Sequence, residues 1–290
     1  MAKQSTPDWK DYTLLDSGNG RKLERFGAHT FDRPEPRAIW KPAVPREIWA
    51  QADAAYHLNA RGGGGKWTFR REIERSWPME YKGLRFWAEV SESRQLGVFP
   101  ENAAQWDWIE AQVQEADRPV RALNLFGYTG LATLAAARAG AEVTHVDAAK
   151  RAVSLAKRNQ QLSGLADKPI RWIVDDALKF VRREARRGRQ YEGIIMDPPK
   201  YGLGPNKERW EFGQVFGELC AACRDVLSEG PRFVAVTAYA LEEPAEMLRP
   251  YIEKMMAGFG GTVEVGELVT VEQSAGRKIA GAIYARWEKN

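Results

Sequence analysis

The sequence has few of the residues that build disulfide frameworks and metal sites. Its 290 residues include two cysteines, Cys220 and Cys223, and three histidines without metal-ligand spacing. We therefore expect no disulfide framework and no bound metal. No run of about 18 apolar residues appears, so no membrane span is expected. Residues 1–10 are polar and lack the apolar stretch of a secretory signal. These absences together favour a cytoplasmic protein.

The charge is mildly basic, with a formal net charge of +4 and a sequence pI of about 9.0. Such an excess permits binding to a polyanion but does not require it. Much of it lies in one basic run: Arg182, Arg183, Arg186, Arg187 and Arg189. A run of this kind is more often a solvated helix face than a binding site.

The chain has two parts with different patterns. Residues 1–95 are rich in tryptophan and contain short β-like runs separated by turn signals, which predicts a small β-rich domain with a possible role in substrate recognition. Residues 96–290 alternate short apolar runs with helical patterns, which predicts a doubly wound α/β domain with a mostly parallel sheet. Residues 262–271 and 278–287 are joined by too short a loop for a helical crossover, so we expect a final antiparallel hairpin.

Three predicted strand ends carry residues suited to an adenosine cofactor. The Gly127–Gly130 turn follows a buried strand and opens a helix, where a backbone can approach a ligand closely. Asp147 ends the second strand and can accept hydrogen bonds from ribose hydroxyls. Asp175 and Asp176 end the third, where a carboxylate can hold an adenine amino group. The predicted cofactor-binding residues here are Phe126, Gly127, Tyr128, Thr129, Gly130, Asp147, Ala148, Asp175, Asp176 and Ala177.

A dinucleotide such as NAD is the alternative ligand for this edge of the sheet. Its fingerprint is G-x-G-x-x-G, whereas the turn here reads Gly-Tyr-Thr-Gly and lacks the middle glycine. Each acidic residue also has a simpler interpretation, as a helix cap or a turn residue. Their occurrence at consecutive strand ends favours the adenosine site.

The fourth strand is followed by Asp197-Pro198-Pro199-Lys200-Tyr201. Two consecutive prolines remove two backbone donors and fix the chain. We therefore expect Asp197 to be presented beside the reactive end of the cofactor.

In these segments the chain resembles the class I methyltransferases of the bacterial large-subunit ribosomal RNA (cytosine-C5) type and their uncharacterised relatives. The resemblance runs from about Gly97 to Trp287, and its further motif is Gly-Val-Phe-Pro-Glu-Asn at 97–102. It implies a seven-stranded sheet ending in a hairpin, and S-adenosylmethionine as cofactor with S-adenosylhomocysteine as product. It also implies that the 97–102 segment folds over the methionine end of the cofactor. The residues it adds to the cofactor site are Phe99, Pro100, Glu101, Asp197 and Pro199.

The sequence departs from that family in one respect. The cytosine-C5 enzymes attack the pyrimidine with a cysteine placed just after the fourth or fifth strand. Those places here read Asp-Pro-Pro-Lys and Val-Thr-Ala-Tyr, and both cysteines lie in a predicted helix at 212–227. A nitrogen or oxygen acceptor needs only alignment and help in losing a proton. The predicted catalytic residues are Asp197, Pro198, Lys200 and Tyr201, with Tyr201 stacking on a flipped base.

Two basic segments are candidates for RNA contact. Lys200, Lys207 and Arg209 flank a glycine-rich segment expected to form a lid, where they suit phosphates or are solvated surface charges. Residues 62–75 combine glycines with Lys66, Trp67 and arginines, which suits single-stranded RNA or a plain hairpin tip. The leading hypothesis is a methyltransferase acting on a base in ribosomal or other structured RNA. The alternatives are a methyltransferase of a protein or small molecule, and a non-catalytic cofactor-binding protein.

Overall fold

The computed structural model describes residues 2–59, 64–241 and 243–289, which fall into two compact units. In this described part, the first unit comprises residues 5–103 with 269–280, and the second comprises 2–4, 104–268 and 281–289. The predicted division between residues 95 and 96 stays a prediction. The structure adds that the tip of the C-terminal hairpin groups with the N-terminal residues. Gly62 and Gly63 of the candidate RNA loop lie outside the described residues.

The first unit is rich in strands, as expected. Strand β1 (Ala2–Ser5) comes first in the chain but lies mainly in the second unit. The elements of the first unit are β2 (Tyr12–Gly18), β3 (Arg21–Phe26), β4 (His29–Pro34), α1 (Arg46–Trp49), β5 (Ala54–Leu58), β6 (Gly65–Phe69), β7 (Ser76–Tyr81) and β8 (Leu84–Glu89). Strands β2 to β6 form a sheet in sequence order, and β7 pairs with β8. Asn19 and Gly20 both have positive φ, as the tight turn of a two-residue hairpin requires. Buried Phe31 stacks on Trp77 with ring centroids 5.5 Å apart, so aromatic packing holds this unit together.

The second unit alternates strands and helices. Its elements are α2 (Ala103–Gln114), β9 (Arg121–Leu125), α3 (Leu131–Ala139), β10 (Glu142–Asp147), α4 (Lys150–Leu162), β11 (Ile170–Val174), α5 (Ala177–Arg186), β12 (Gly193–Met196), β13 (Tyr201–Leu203), β14 (Arg209–Glu211), α6 (Phe212–Arg224), β15 (Phe233–Tyr239), α7 (Arg249–Met256), β16 (Thr262–Val271) and β17 (Lys278–Glu288). Short 3-10 helices lie at Pro100–Asn102 and Ala245–Leu248.

The large sheet has the predicted doubly wound architecture. Within the described residues its strand order is β1-β16-β17-β15-β12-β9-β10-β11. Strands β15, β12, β9, β10 and β11 are parallel, and β17 pairs antiparallel with β15. The expectation was seven strands, and the eighth is β1, which adds to the hairpin edge. The chain runs from β9 outward through β10 and β11, and then returns to β12 on the other side. The carboxyl ends of β9 and β12 therefore form a topological switch point, where ligands of such sheets bind.

Helices cover both faces of this sheet. Buried Phe180 of α5, Phe216 of α6 and Ile252 of α7 belong to one apolar cluster. Ile109 of α2 and Ala136 of α3 belong to another, which packs on β9 and β10. Because both faces are covered, the central strand β12 is buried and apolar along its whole length. No helix in the described residues is long and apolar enough to cross a membrane.

Candidate active site at the carboxyl edge of the sheet

The turn after β9 has an uncommon backbone conformation. Phe126 and Tyr128 have φ angles of 58° and 48°, and Gly130 has a φ of 87°. The turn is fixed by a hydrogen bond from Gly127 N–H to the carbonyl of Val146 at 3.0 Å. Bulky residues with positive φ cost about 1 kcal/mol or more each and cluster at ligand sites. Helix α3 follows directly, so the free N–H groups of its first turn lie at this bend and favour an anionic group.

Both glycines of the turn are required by what packs behind them. A Cβ atom at Gly127 would lie 2.5 Å from Nδ1 of His145 and would overlap its ring. A Cβ atom at Gly130 would lie 2.9 Å from the Cβ of Ala156, in addition to the strain of positive φ. The turn is therefore packed closely on His145 of β10 and Ala156 of α4, and neither glycine has room for a side chain.

His145 belongs to a buried polar network under the turn. Its Nδ1 lies 2.9 Å from Oγ1 of Thr133, which accepts a hydrogen bond from Nδ2 of Asn124 at 2.8 Å. The imidazole also packs against Trp172 with centroids 4.7 Å apart. Burial lowers the pKa of His145 to about 3, so the ring is neutral at pH 7 and supports the turn without adding charge.

Asn159 of α4 holds the same turn from a different element. Its buried side chain donates from Nδ2 to the carbonyl oxygen of Thr129 at 2.9 Å. Deleting a buried hydrogen-bonding side chain of this kind typically costs about 1–3 kcal/mol. Sequence analysis missed this residue, because an asparagine in a helix carries no signal of the loop that it contacts.

Asp147, at the end of β10, is oriented by two backbone donors. Its Oδ2 accepts from Tyr128 N–H and its Oδ1 from Ala149 N–H, each at 2.8 Å. Burial raises the pKa of this carboxyl, and the two hydrogen bonds lower it only in part. Each carboxylate oxygen has a second lone pair, so the group can still accept from two adjacent hydroxyls. Ala148 lies directly beside it and is half-buried.

The carboxylates after β11 have separate structural partners. Both oxygens of Asp175 are engaged, by Asp176 N–H at 2.8 Å and by Arg183 at 2.6 Å. Asp176 accepts from Lys179 N–H at 2.9 Å and caps α5, which begins at buried Ala177. A cap uses one carboxylate oxygen, and the other remains for an amino group. The assignment of Asp175 or Asp176 to the adenine amino group stays a prediction.

The Asp197-Pro198-Pro199 corner lies on the other side of the switch point. Asp197 N–H donates to the carbonyl of Leu125 at 3.2 Å, which ties the corner to the strand that carries the glycine turn. Pro198 is buried. The indole of Trp210 donates to the carbonyl of Pro199 at 2.6 Å. Since β12 pairs with β9, and β10 with β9 and β11, all four predicted strand ends meet at one edge.

Tyr239 is a further residue at this edge that sequence analysis did not select. It ends β15, and Ala240 after it has a φ of 59°. Burial raises the pKa of its phenol, and the nearby charges of Asp197, Tyr128 and Asp147 raise it further. The available signal was its position at the tip of the fifth strand. There the cytosine-C5 enzymes are expected to carry a cysteine, and this chain carries a phenol.

The predicted segment at 97–102 belongs to the first unit. Pro100 and Glu101 are buried in a 3-10 helix, and Thr6 donates to the carbonyl of Pro100 at 3.3 Å. Burial raises the pKa of Glu101, against a lowering by Lys22. The contact of Phe99, Pro100 and Glu101 with the cofactor stays a prediction.

Other chemically suggestive residues have structural partners. Cys220 and Cys223 lie in the core of the second unit, where burial raises the pKa of Cys220 to about 12 and also raises that of Cys223. Such thiols are poor nucleophiles. Trp67 of the candidate RNA loop donates to the carbonyl of Ser91 at 2.9 Å and packs within the aromatic core. Across the described residues, no group of three or more His, Cys, Asp or Glu is placed to hold a metal.

The basic run on α5 is largely ion-paired. Arg183 contacts Asp175, Arg182 contacts Glu218, and Arg187 lies 3.3 Å from Glu184. These pairs support the interpretation of the run as a solvated helix face.

A family model described as S-adenosylmethionine-dependent methyltransferase matches residues 47–237. The chain belongs to this family. The cofactor of this family, S-adenosylmethionine, contains the adenosine for which the sequence predicted a site at the strand ends. The matched residues include the glycine turn, Asp147, the Asp175-Asp176 pair and the Asp197 corner.

Relatives of this methyltransferase include enzymes of ribosomal RNA. It is 28% identical over 174 residues to ribosomal RNA large subunit methyltransferase I of Aeromonas salmonicida. This alignment covers 60% of this chain and 39% of that protein. It is 32% identical over 124 residues to ribosomal RNA large subunit methyltransferase K/L of Methylococcus capsulatus, covering 42% of this chain and 16% of that protein. The alignments therefore span well under half the length of these curated relatives.

One solved structure matches along the whole chain. The S-adenosylmethionine-dependent methyltransferase from Agrobacterium tumefaciens is 41% identical, with a TM-score of 0.96. The match covers 100% of this chain and 94% of that one. Both units of the methyltransferase described here therefore occur together in a relative.

Proposed function

We propose that the protein transfers a methyl group from S-adenosylmethionine to a base in ribosomal or other structured RNA. The observation that carries the proposal is the position of the Asp197-Pro198 corner at the switch point, across β9 from Asp147. The exposed ring of Tyr201 lies three residues after Pro198. The ribosomal RNA methyltransferases among the relatives support RNA as the substrate class.

The residues at the strand ends fit the cofactor. The carboxylate of Asp147 would accept from the ribose hydroxyls, because its two oxygens are already aimed by backbone donors. Asp176 and the N–H of Ala177 would hold the adenine ring, and the first turn of α3 would attract the methionine carboxylate. When bound, S-adenosylmethionine supplies a methyl group activated by its positively charged sulfur.

Residues of the corner act on the acceptor. Asp197 and the carbonyl of Pro198 would accept hydrogen bonds from an exocyclic amino group, and these bonds would orient its lone pair. The carboxylate of Asp197 would take up the proton that the methylated nitrogen releases. Tyr201 would stack on the flipped base, while Lys200 would contact a nearby phosphate. Two prolines make this corner stiff, so the acceptor is aligned without reorganisation of the backbone.

A nitrogen acceptor fits better than a pyrimidine C5. Methylation of that carbon needs a nucleophile that adds to the ring, and both cysteines are buried in the core with raised pKa values. The fifth strand instead ends in Tyr239, whose phenol is a hydrogen-bonding group at the edge of the site.

Transfer of tritium from labelled S-adenosylmethionine into RNA or protein tests the proposal. Total RNA and total protein should come from cells lacking this enzyme, so that the target is unmethylated. We expect label in RNA, and nuclease digestion should place it on a base. Label in protein alone would replace the RNA proposal with that of a protein methyltransferase. Tight cofactor binding without label in either fraction would point to a binding protein.

Asp197→Ala tests the assigned chemistry. Losing the proton acceptor should lower turnover at saturating S-adenosylmethionine roughly 100-fold or more. Calorimetry measures separately any loss of cofactor affinity, which saturation keeps from affecting this turnover. Asp225→Ala is the matched control, since Asp225 is exposed at the end of α6. Turnover equal to that of the control would remove the catalytic role of Asp197.

A further inference from the structure

The segment expected to form a lid is a β-hairpin with two distinct faces. Strand β13 pairs antiparallel with β14, so that Tyr201 lies opposite Glu211, Gly202 opposite Trp210 and Leu203 opposite Arg209. Since side chains alternate along a strand, Gly202 and Trp210 share one face, and the other two pairs share the opposite face.

The inner face of the hairpin is attached to the candidate active site. A Cβ atom at Gly202 would lie 3.3 Å from Pro199. Buried Trp210 donates to the carbonyl of Pro199 at 2.6 Å and packs on Phe126 with ring centroids 4.7 Å apart. The N–H of Phe212 donates to the carbonyl of Lys200 at 2.9 Å. The hairpin is therefore fixed to the Asp197 corner and to the glycine turn.

The outer face exposes apolar surface. The side chains of Tyr201 and Leu203 are 63% and 66% exposed. Tyr201 and Leu203 therefore form a small exposed apolar patch on one face of the hairpin. Two side chains expose far less than the roughly 800 Å² per partner that a stable protein interface buries.

Basic side chains surround this apolar face. Among the described residues, Lys200, Lys207 and Arg209 form no ion pair with a carboxylate. Of the two nearby acids, Glu208 pairs with Lys179 at 2.6 Å, whereas Glu211 accepts from the neutral amide of Gln214 at 2.8 Å and keeps its negative charge. Three cations without an ion pair outweigh this one carboxylate, so the net charge of the hairpin is positive.

We propose that this outer face binds an unpaired RNA strand next to the methylated nucleotide, with a base on Leu203 and phosphates at Lys207 and Arg209. The proposal rests on RNA being the substrate class. It follows from an apolar face beside unpaired cations, since an unpaired nucleotide carries an apolar ring and a phosphate together. Paired RNA offers its phosphates and 2′-hydroxyls but no exposed base face, because its bases are stacked inside the helix.

Binding of a short fluorescent single-stranded RNA of mixed sequence, measured by anisotropy, tests the proposal without turnover. Leu203→Ser should weaken binding roughly fivefold, because it removes apolar surface that a base would cover. Lys207→Ala with Arg209→Ala should reduce the slope of log K against log salt by about 1.4, from two lost phosphate contacts. A duplex RNA should respond to the lysine and arginine changes but not to Leu203→Ser.

Matched controls separate this face from general surface effects. Ile39→Ser replaces an apolar side chain that is 85% exposed in the first unit, and Lys157→Ala removes an exposed cation on α4. Both should bind the RNA as the unchanged protein does, and cofactor affinity should be equal in all variants. Hairpin variants that bind RNA like these controls, in a protein that labels RNA, would overturn the hairpin proposal and leave the proposed function standing. Absence of RNA labelling by the unchanged protein would reject the proposed function itself.

Discussion

The sharpest prediction concerns Gly127, whose replacement by alanine adds one methyl group against a buried ring. The backbone at Gly127 does not have a positive φ, so alanine is allowed locally and only the packing opposes it. The new Cβ would lie 2.5 Å from Nδ1 and 3.1 Å from Nε2 of His145. The ring is fully buried and hydrogen-bonded to Thr133, so it cannot swing away.

The expected cost follows from overpacking. Inserting a methylene into a packed core typically costs 1–3 kcal/mol, and part of this strain should move the turn rather than the ring. We expect Gly127→Ala to lower the melting temperature, by about 2–4 °C for each kcal/mol lost from the free energy of unfolding. Displacement of the turn also moves Tyr128 N–H, which orients Asp147. Cofactor affinity should therefore fall about tenfold, equivalent to roughly 1.4 kcal/mol.

Thermal unfolding and calorimetric titration of S-adenosylhomocysteine measure these two effects. Gly213→Ala is the matched control, because its Cβ would meet nothing within 4 Å and its φ is not positive. His145→Ala opens space beside Gly127, so the double variant should recover part of the loss. If Gly127→Ala binds the cofactor as tightly as Gly213→Ala does, or if the two changes at 127 and 145 are simply additive, the packing argument is wrong.

Two further predictions concern residues under and beside the turn. Asp147→Asn should weaken cofactor binding, measured by calorimetry, roughly 5- to 150-fold. The new amide nitrogen would face the N–H of Tyr128 or Ala149, and an unsatisfied buried donor costs about 1–3 kcal/mol. The control Asp167→Asn, at an exposed position, should have no effect. Folding lowers the pKa of His145 to about 3, so the unfolded chain binds the proton more strongly. The contribution of His145 to the free energy of unfolding is then fully present above about pH 6.5. It declines by about 1.4 kcal/mol per pH unit as the pH falls toward 3. Denaturant unfolding between pH 7 and 4 should show a flatter decline in His145→Gln, and equal slopes would contradict the assignment.

The mostly parallel sheet and its final hairpin were predictable because their signals are local. Apolar runs alternating with helical patterns identify parallel strands, and the loop at 272–277 is too short for a crossover. The strand ends follow from the same pattern, since parallel strands place their carboxyl ends on one edge. For this reason the sequence alone predicts that the glycine turn, Asp147, Asp175 and Asp197 lie at one edge of the sheet.

The expected lid illustrates where local signals end. Glycines at 202 and 204 suggested a lid, yet Gly202 lies against Pro199 and the segment forms a hairpin. The determining contact is Trp210 on Phe126, between residues 84 positions apart in sequence. No local pattern shows that pairing.

The sequence by itself determined the doubly wound sheet, the order of its strand ends and the chemical types of residue placed there, because backbone propensity and periodicity act over a few neighbouring residues. The tertiary structure alone decided that His145 and Asn159 support the glycine turn, that Tyr239 joins the edge and that β1 adds an eighth strand. These contacts join residues far apart in the chain, and burial fixes the distances and pKa values on which their chemistry depends.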